Sequence, residues 1–200
     1  MMMVSSTLPL VLSCSPRKGG NSDTAADLLA QAAAEAGARC EVLRLRDFEV
    51  LACRGCNHCG RNPEHRCILA DKDQAELLFA RLLTAPWVAF TAPIYFYHLP
   101  SLFKALIDRA QRFYNKARTS WPPSPTRQAH LVLVAGRARG EQLFEGSLLT
   151  LKYFLRPLGL EAGEPLLMRG LDSPADLGGS ERAANSVREL GRKAAGREAV

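Results

Sequence analysis

No stretch of this chain holds the roughly 20 consecutive apolar residues of a membrane-crossing helix, so neither a spanning segment nor a membrane partner is expected. Two phosphate-binding signatures are also missing. There is no Gly-x-Gly-x-x-Gly, the turn that grips a dinucleotide pyrophosphate, and no Gly-x-x-x-x-Gly-Lys-Ser/Thr, the loop that cradles a nucleoside triphosphate. Acidic residues vanish from one long interval, with none between Asp108 and Glu141. No repeat and no boundary divides the chain. No Lys or Arg precedes the short apolar stretch that ends Leu-Val-Leu-Ser-Cys, so 1–14 reads as part of the fold and not as a lipoprotein-type leader. The expected compartment is then the cytoplasm, where the six cysteines stay as thiols or metal ligands.

What is present is ordinary in amount and informative in order. Of 200 residues, 47% are hydrophobic and 23% charged, enough for a full core in a single domain over 1–200. The net charge of +6 favours an anionic ligand or partner. The continuous apolar run at 8–13 reads as a strand buried on both faces, 87–91 as another buried strand and 131–135 as the fourth strand. Shorter strands are expected at 40–45 and 166–169. Between them lie helical patterns: one capped by Asn21 or Ser22 and ending near Gly37, one from Asp71 or Asp73 to near Leu83, then 100–114, 141–155 and 180–195. A Pro-rich connection covers 116–127, and a cysteine-rich loop is inserted at 46–70. Strands alternating with helices predict an α/β fold: a flavodoxin-like, doubly wound, five-stranded parallel sheet of order 2-1-3-4-5 with helices on both faces.

In that fold the loops after the strands share the carboxyl edge of the sheet, where ligands bind. The first of them, Ser13-Cys14-Ser15-Pro16-Arg17-Lys18-Gly19-Gly20-Asn21-Ser22, leads into a helix N-terminus. Its glycines allow close backbone approach, its hydroxyl and amide groups donate, and Arg17 adds charge, which together make an anion cradle. The loop after the third strand, Pro93-Ile94-Tyr95-Phe96-Tyr97-His98, offers apolar and aromatic surface for a planar ring. Ser15-Pro16-Arg17 with Gly20-Asn21-Ser22, and Pro93-Ile94-Tyr95-Phe96 with Pro100, Lys104 and Asp108-Arg109 behind it, resemble the NADPH-dependent FMN reductase superfamily. Cys14 stands where many members carry glycine. The resemblance implies FMN, with Ser15, Arg17, Asn21 and Ser22 on its phosphate. It puts Pro93, Ile94, Tyr95 and Phe96 on the ring and ribityl chain, and Gly136 near the pyrimidine side. It also implies a homodimer or higher oligomer. No residue is assigned a catalytic role; His98 reads as structural.

Cys53-x-x-Cys56-x-x-Cys59 followed by Cys67 gathers four thiols on one compact loop. Soft sulfur ligands at this spacing suit an iron–sulfur cluster or zinc, or the loop carries no metal. The spacing is similar to that of the iron–sulfur flavoproteins, which implies a [4Fe–4S] cluster beside FMN. Cys14 and Cys40 are expected to pack or stay free. The basic interval carries Arg109, Arg112, Lys116, Arg118, Arg127, Arg137 and Arg139. It reads as a solvated face, or as a dock for NAD(P)H phosphates or an acidic carrier such as ferredoxin; no nucleic-acid motif accompanies it. The functional expectation is an FMN-dependent oxidoreductase passing electrons between a [4Fe–4S] cluster and FMN. The alternatives are an NAD(P)H-dependent FMN or quinone reductase without a cluster, and a non-enzymatic electron carrier or zinc-stabilised domain.

Overall fold

The computed structural model describes residues 8–119 and 127–196. Parts of the 1–14 stretch and of the Pro-rich connection named above, and the last four residues, lie outside these residues. In chain order the elements are β1 Leu10–Ser13, α1 Asn21–Glu35, β2 Glu41–Arg44, α2 His58–Arg61, α3 Ala75–Thr84, β3 Val88–Pro93, α4 Ser101–Arg109 and α5 Gln111–Thr119. They continue with β4 Arg127–Val134, α6 Glu145–Leu155, β5 Leu160–Ala162, β6 Leu166–Met168, α7 Asp176–Gly179 and α8 Glu181–Ala195.

All pairings in the sheet are parallel. β1 lies between β2 and β3, and β3 pairs with β4, giving the expected order 2-1-3-4-5. The fifth position is shared. β5 pairs with Arg127–Ala129 of β4 and β6 with Val132–Val134, so the expected last strand is one interrupted by Gly163-Glu164-Pro165. Proline has no N–H for the ladder, which is why the strand breaks there. Alternation along the strands sends Leu10, Leu12, Phe90, Leu131 and Leu133 to one core and Val11, Ala89, Val132 and Val134 to the other. On the first face Phe90 stacks on Phe103 at 5.6 Å between ring centroids, and both meet Phe154 edge-on. α1, α7 and α8 cover the second face.

Helix boundaries follow local chemistry. α1 ends in a Schellman turn: Gly37 takes φ +99°, and the Ala38 N–H reaches Ala33 O at 2.9 Å. The helix expected over 100–114 is two helices that part at Ala110. The helices expected from 71–73 and 141 begin later, at Ala75 and Glu145.

α8 crosses α1 at a glycine. A Cβ on Gly191 would stand 2.4 Å from the Leu29 carbonyl oxygen and 3.1 Å from the Ala32 Cβ. Gly191→Ala is therefore expected to destabilise by about 1–3 kcal/mol, overpacking outweighing alanine's better helix propensity. A lower urea midpoint with an unchanged m-value checks this.

Candidate functional site

The cradle is built from the turn after β1 and is held from below by Asp23. This buried carboxylate accepts from Ser13 Oγ at 2.6 Å, Gly19 N–H at 2.8 Å and Arg46 Nη1 at 2.9 Å, with Arg44 Nε at 3.5 Å. Burial alone pushes its pKa up. The hydrogen bonds from Arg46, Ser13 and Gly19, with the Arg46 charge, win and hold it below the ordinary carboxylate range. Arg46 also reaches the carbonyls of Ser15 and Arg17 at 3.4 Å each. Ser15 closes the turn on itself, its hydroxyl bonding both Arg17 N–H and Arg17 O at 3.1 Å. Thr91 Oγ1 donates to Ser22 O at 2.8 Å and ties the helix start to β3.

Above this turn lies a cavity of about 200 Å³. Ser15, Arg17, Asn21, Ser22, Pro93, Ile94, Tyr95 and Gly136 all line it. Within the described residues the Arg17 guanidinium and the Ser22 hydroxyl make no hydrogen bond. The first N–H groups of α1 have no i−4 carbonyl. The Asp23 and Thr24 N–H groups turn back to Gly20 O at 2.9 and 3.1 Å, so the Asn21 and Ser22 N–H groups, with Arg17 and the Ser22 hydroxyl, are the free donors at the positive end of a helix dipole, a set that fits a phosphate.

Asn21 requires a correction. Its amide nitrogen donates to Leu171 O at 3.0 Å and Ser173 O at 2.8 Å, and its oxygen accepts from Leu177 N–H at 2.9 Å. The side chain pins the loop after β6 to α1, which leaves only the Asn21 backbone N–H for an anion. Nor does either Asn21 or Ser22 cap α1; the N-cap is Gly20.

Phe96 lies apart from this cavity. Tyr95 and His98 exchange backbone hydrogen bonds at 2.8 and 2.9 Å, and Phe96 and Tyr97 between them take φ +50° and +63°. Two central residues with positive φ describe a type I′ turn, strained for side chains this large. The turn thrusts Phe96 fully into solvent (103% exposure), where it lines a neighbouring concavity of about 260 Å³ with Ile94, Tyr97, Gly136 and Arg137. His98 supports the turn: Nδ1 accepts from Leu99 N–H at 2.9 Å, which assigns the proton to Nε2, 3.2 Å from Thr150 Oγ1.

Residues outside the expected set complete the cavity. Val134, Arg137, Leu171 and Asp172 line it. A Cβ on Gly136 would stand 2.5 Å from Asp172 Oδ1, so the two loops meet closely there. The loop after β6 could have been foreseen, because every loop following a parallel strand opens on the same edge. Asp23 sits in the first turn of a helix, a position that favours acids, but its partners on the neighbouring strand were hidden.

The cysteine loop forms a second concavity of about 460 Å³, lined by Cys53, Cys56, Cys59 and Cys67 together. Among the described residues no three His, Cys, Asp or Glu side chains converge tightly enough to hold a metal ion. The surroundings nonetheless suit charged sulfur: Leu69 N–H reaches Cys67 Sγ at 3.5 Å, and Asn115 Nδ2 reaches Cys59 Sγ at 3.4 Å. All six cysteines lie among the described residues and none forms a disulfide. Cys14 is buried, which pushes its thiol well up and keeps it neutral. The basic interval is largely used internally. Arg109 pairs with Asp73, and Arg112 with Glu76. Arg127 binds the Leu82 and Ala85 carbonyls at 2.9 and 2.8 Å, and Arg137 binds Tyr97 Oη at 3.2 Å.

A doubly wound sheet of order 2-1-3-4-5, with an anion cradle and an aromatic turn meeting at its switch point, defines the flavodoxin-like class. The family follows from comparison: the profile of the NADPH-dependent FMN reductase family matches residues 9–153, and the chain belongs to that family, one of flavin-dependent oxidoreductases. Iron-sulfur flavoprotein of Methanosarcina thermophila is 29% identical over 99 residues, half of each chain. Its namesake from Methanocaldococcus jannaschii is 33% identical over 100 residues, again half of each. The chain thus spans about half the length of the curated relatives it matches. NAD(P)H:quinone oxidoreductase from Methanothermobacter marburgensis shares the fold at TM-score 0.69 and 20% identity, covering 94% of this chain and 96% of that one. Azoreductase from Bacillus anthracis does so at 0.67 and 16%, covering 96% and 100%. Among the described residues no helix is long and apolar enough to cross a membrane.

Proposed function

We propose that this chain is an FMN-dependent oxidoreductase of iron–sulfur flavoprotein type, working in the reducing cytoplasm. The observation that carries the reading is that the four cysteines, spread over fifteen positions, line one cavity in a chain that also builds the anion cradle. FMN would supply one- and two-electron chemistry and a [4Fe–4S] cluster single electrons. Arg17, the Ser22 hydroxyl and the Asn21 and Ser22 N–H groups bind the phosphate, and Ser15 shapes the turn that lines it. Pro93, Ile94, Tyr95 and Gly136 orient the ring, and Cys53, Cys56, Cys59 and Cys67 ligate the cluster. The donor is NAD(P)H or an acidic carrier such as ferredoxin. Phe96, bare beside the flavin cavity, supports a homodimer or higher oligomer in which a second copy covers it.

Anaerobically purified protein is expected to contain FMN, iron and acid-labile sulfide. Cys56→Ser is expected to lose most of the iron while keeping FMN. Flavin without iron in the parent protein would sink the cluster. A cluster-free NAD(P)H-dependent reductase is the second reading, favoured by the lack of a converged ligand set among the described residues. It predicts that NADPH bleaches bound FMN equally fast in the parent and in Cys56→Ser.

A further inference from the structure

Arg109, the last residue of α4, is buried with its partner Asp73; both side chains are 0% exposed. Together they clamp the two ends of the cysteine loop. Leu51, at its entrance, gives its N–H to Asp73 Oδ2 at 2.8 Å, and its carbonyl accepts from Arg109 Nη1 at 3.2 Å. Asp73, at its exit, accepts from Arg109 Nη1 and, through Oδ1, from Ala75 N–H at 3.1 Å. The Asp73 carboxylate is therefore satisfied, but the guanidinium is not. Its Nε and Nη2 are buried with no hydrogen-bond partner among the described residues. Such orphaned charged donors are costly, so a native structure retains them where something accepts.

The acceptor at hand is a cysteine of the cavity. Asp108 and Gln111, flanking Arg109 in sequence, line the cysteine cavity with Cys67. Burial works against the Arg109 charge, while Asp73 and the Cys67 sulfur favour it and keep it fully charged. Arginine can only donate. A neutral thiol accepts weakly and a metal-bound thiolate accepts well.

We propose that Arg109 is the positioning residue of the metal-binding loop, its unpartnered Nε and Nη2 donating to the Cys67 sulfur and holding this outlying ligand against the Cys53–Cys59 run. The inference rests on the cluster reading above. It adds that a buried cation beside the cluster favours the more negative, reduced state and so raises its potential.

Two variants of the full chain, purified anaerobically beside the parent, test this. Arg109→Lys keeps the charge and loses the planar fork. Arg109→Met combined with Asp73→Asn removes the ion pair without stranding either charge. Both are expected to keep FMN at parental stoichiometry, which reports folding, and to bind iron about 10–100-fold more weakly. Any cluster remaining in the double variant should be reduced at a lower potential in an EPR-monitored titration. Arg109→Lys with parental iron content and potential overturns the proposal, even where the double variant does not fold. A parent that holds FMN but no iron or sulfide fails at the earlier step, removing the cluster reading and this inference with it.

Discussion

Asp73→Ala is expected to lower the stability of the fold by about 3–5 kcal/mol, because it strands the Arg109 cation in the interior. The loss is more than that of one ion pair. Asp73 also accepts the Leu51 and Ala75 N–H groups, so the base of the cysteine loop and the entry to α3 loosen together. Burial pushes the Asp73 pKa up, but the Arg109 hydrogen bond, the two N–H groups and the Arg109 charge hold it below the ordinary value. A depressed folded-state pKa gives stability that is complete above the unfolded value of about 3.9 and drains as pH falls through the folded one. Urea unfolding should therefore show a parent that weakens below about pH 4 and an Asp73→Ala protein that lacks this part of the acid dependence. An Asp73→Ala midpoint close to the parent's at pH 7 would contradict the clamp.

Asp23→Ala is expected to weaken FMN binding at least about tenfold, equivalent to about 1.4 kcal/mol. Two effects compete. Removing a carboxylate from beneath an anion site favours phosphate on charge alone. Yet Arg44 and Arg46 already offset that charge, and the carboxylate fixes the Gly19 N–H and the Arg46 that steadies the Ser15 and Arg17 carbonyls. Loss of this preorganisation outweighs the charge term. Quenching of free FMN fluorescence measures the affinity. Asp23→Asn separates the two effects: if charge ruled, it would bind FMN more tightly than the parent. The Asp23 pKa is depressed as well, so order in the cradle, and with it FMN retention, is expected to fail as pH drops below the ordinary carboxylate range.

The strand order and the loops that meet at the site were legible because they depend on short-range pattern. Leu10–Ser13, Val88–Pro93 and the second half of β4 are apolar but for Ser13 and Thr91, and the Gly-bearing turn and the Tyr95 segment follow directly from the first two. What escaped depends on tertiary partners. Asn21 looks like a ligand donor in sequence and proves to be the anchor of a loop 150 residues away. Leu160–Ala162 is too short to stand out as a strand and is defined by its pairing with β4. The bracing roles of Arg46 and Arg109 follow from the turn after an adjacent strand and from a distant loop, which no periodicity encodes. The break at Ala110 had no proline or glycine to announce it.

The interrupted fifth position has one more consequence. An incoming strand from another molecule would find only three residues of β5 or three of β6 in register, with the ring of Pro165 between them. At the opposite margin β2 is four residues long and begins and ends with Glu41 and Arg44. Neither margin is a usable template for edge-to-edge addition, so this sheet is protected against runaway polymerisation at high concentration by brevity and charge, with no covering element needed.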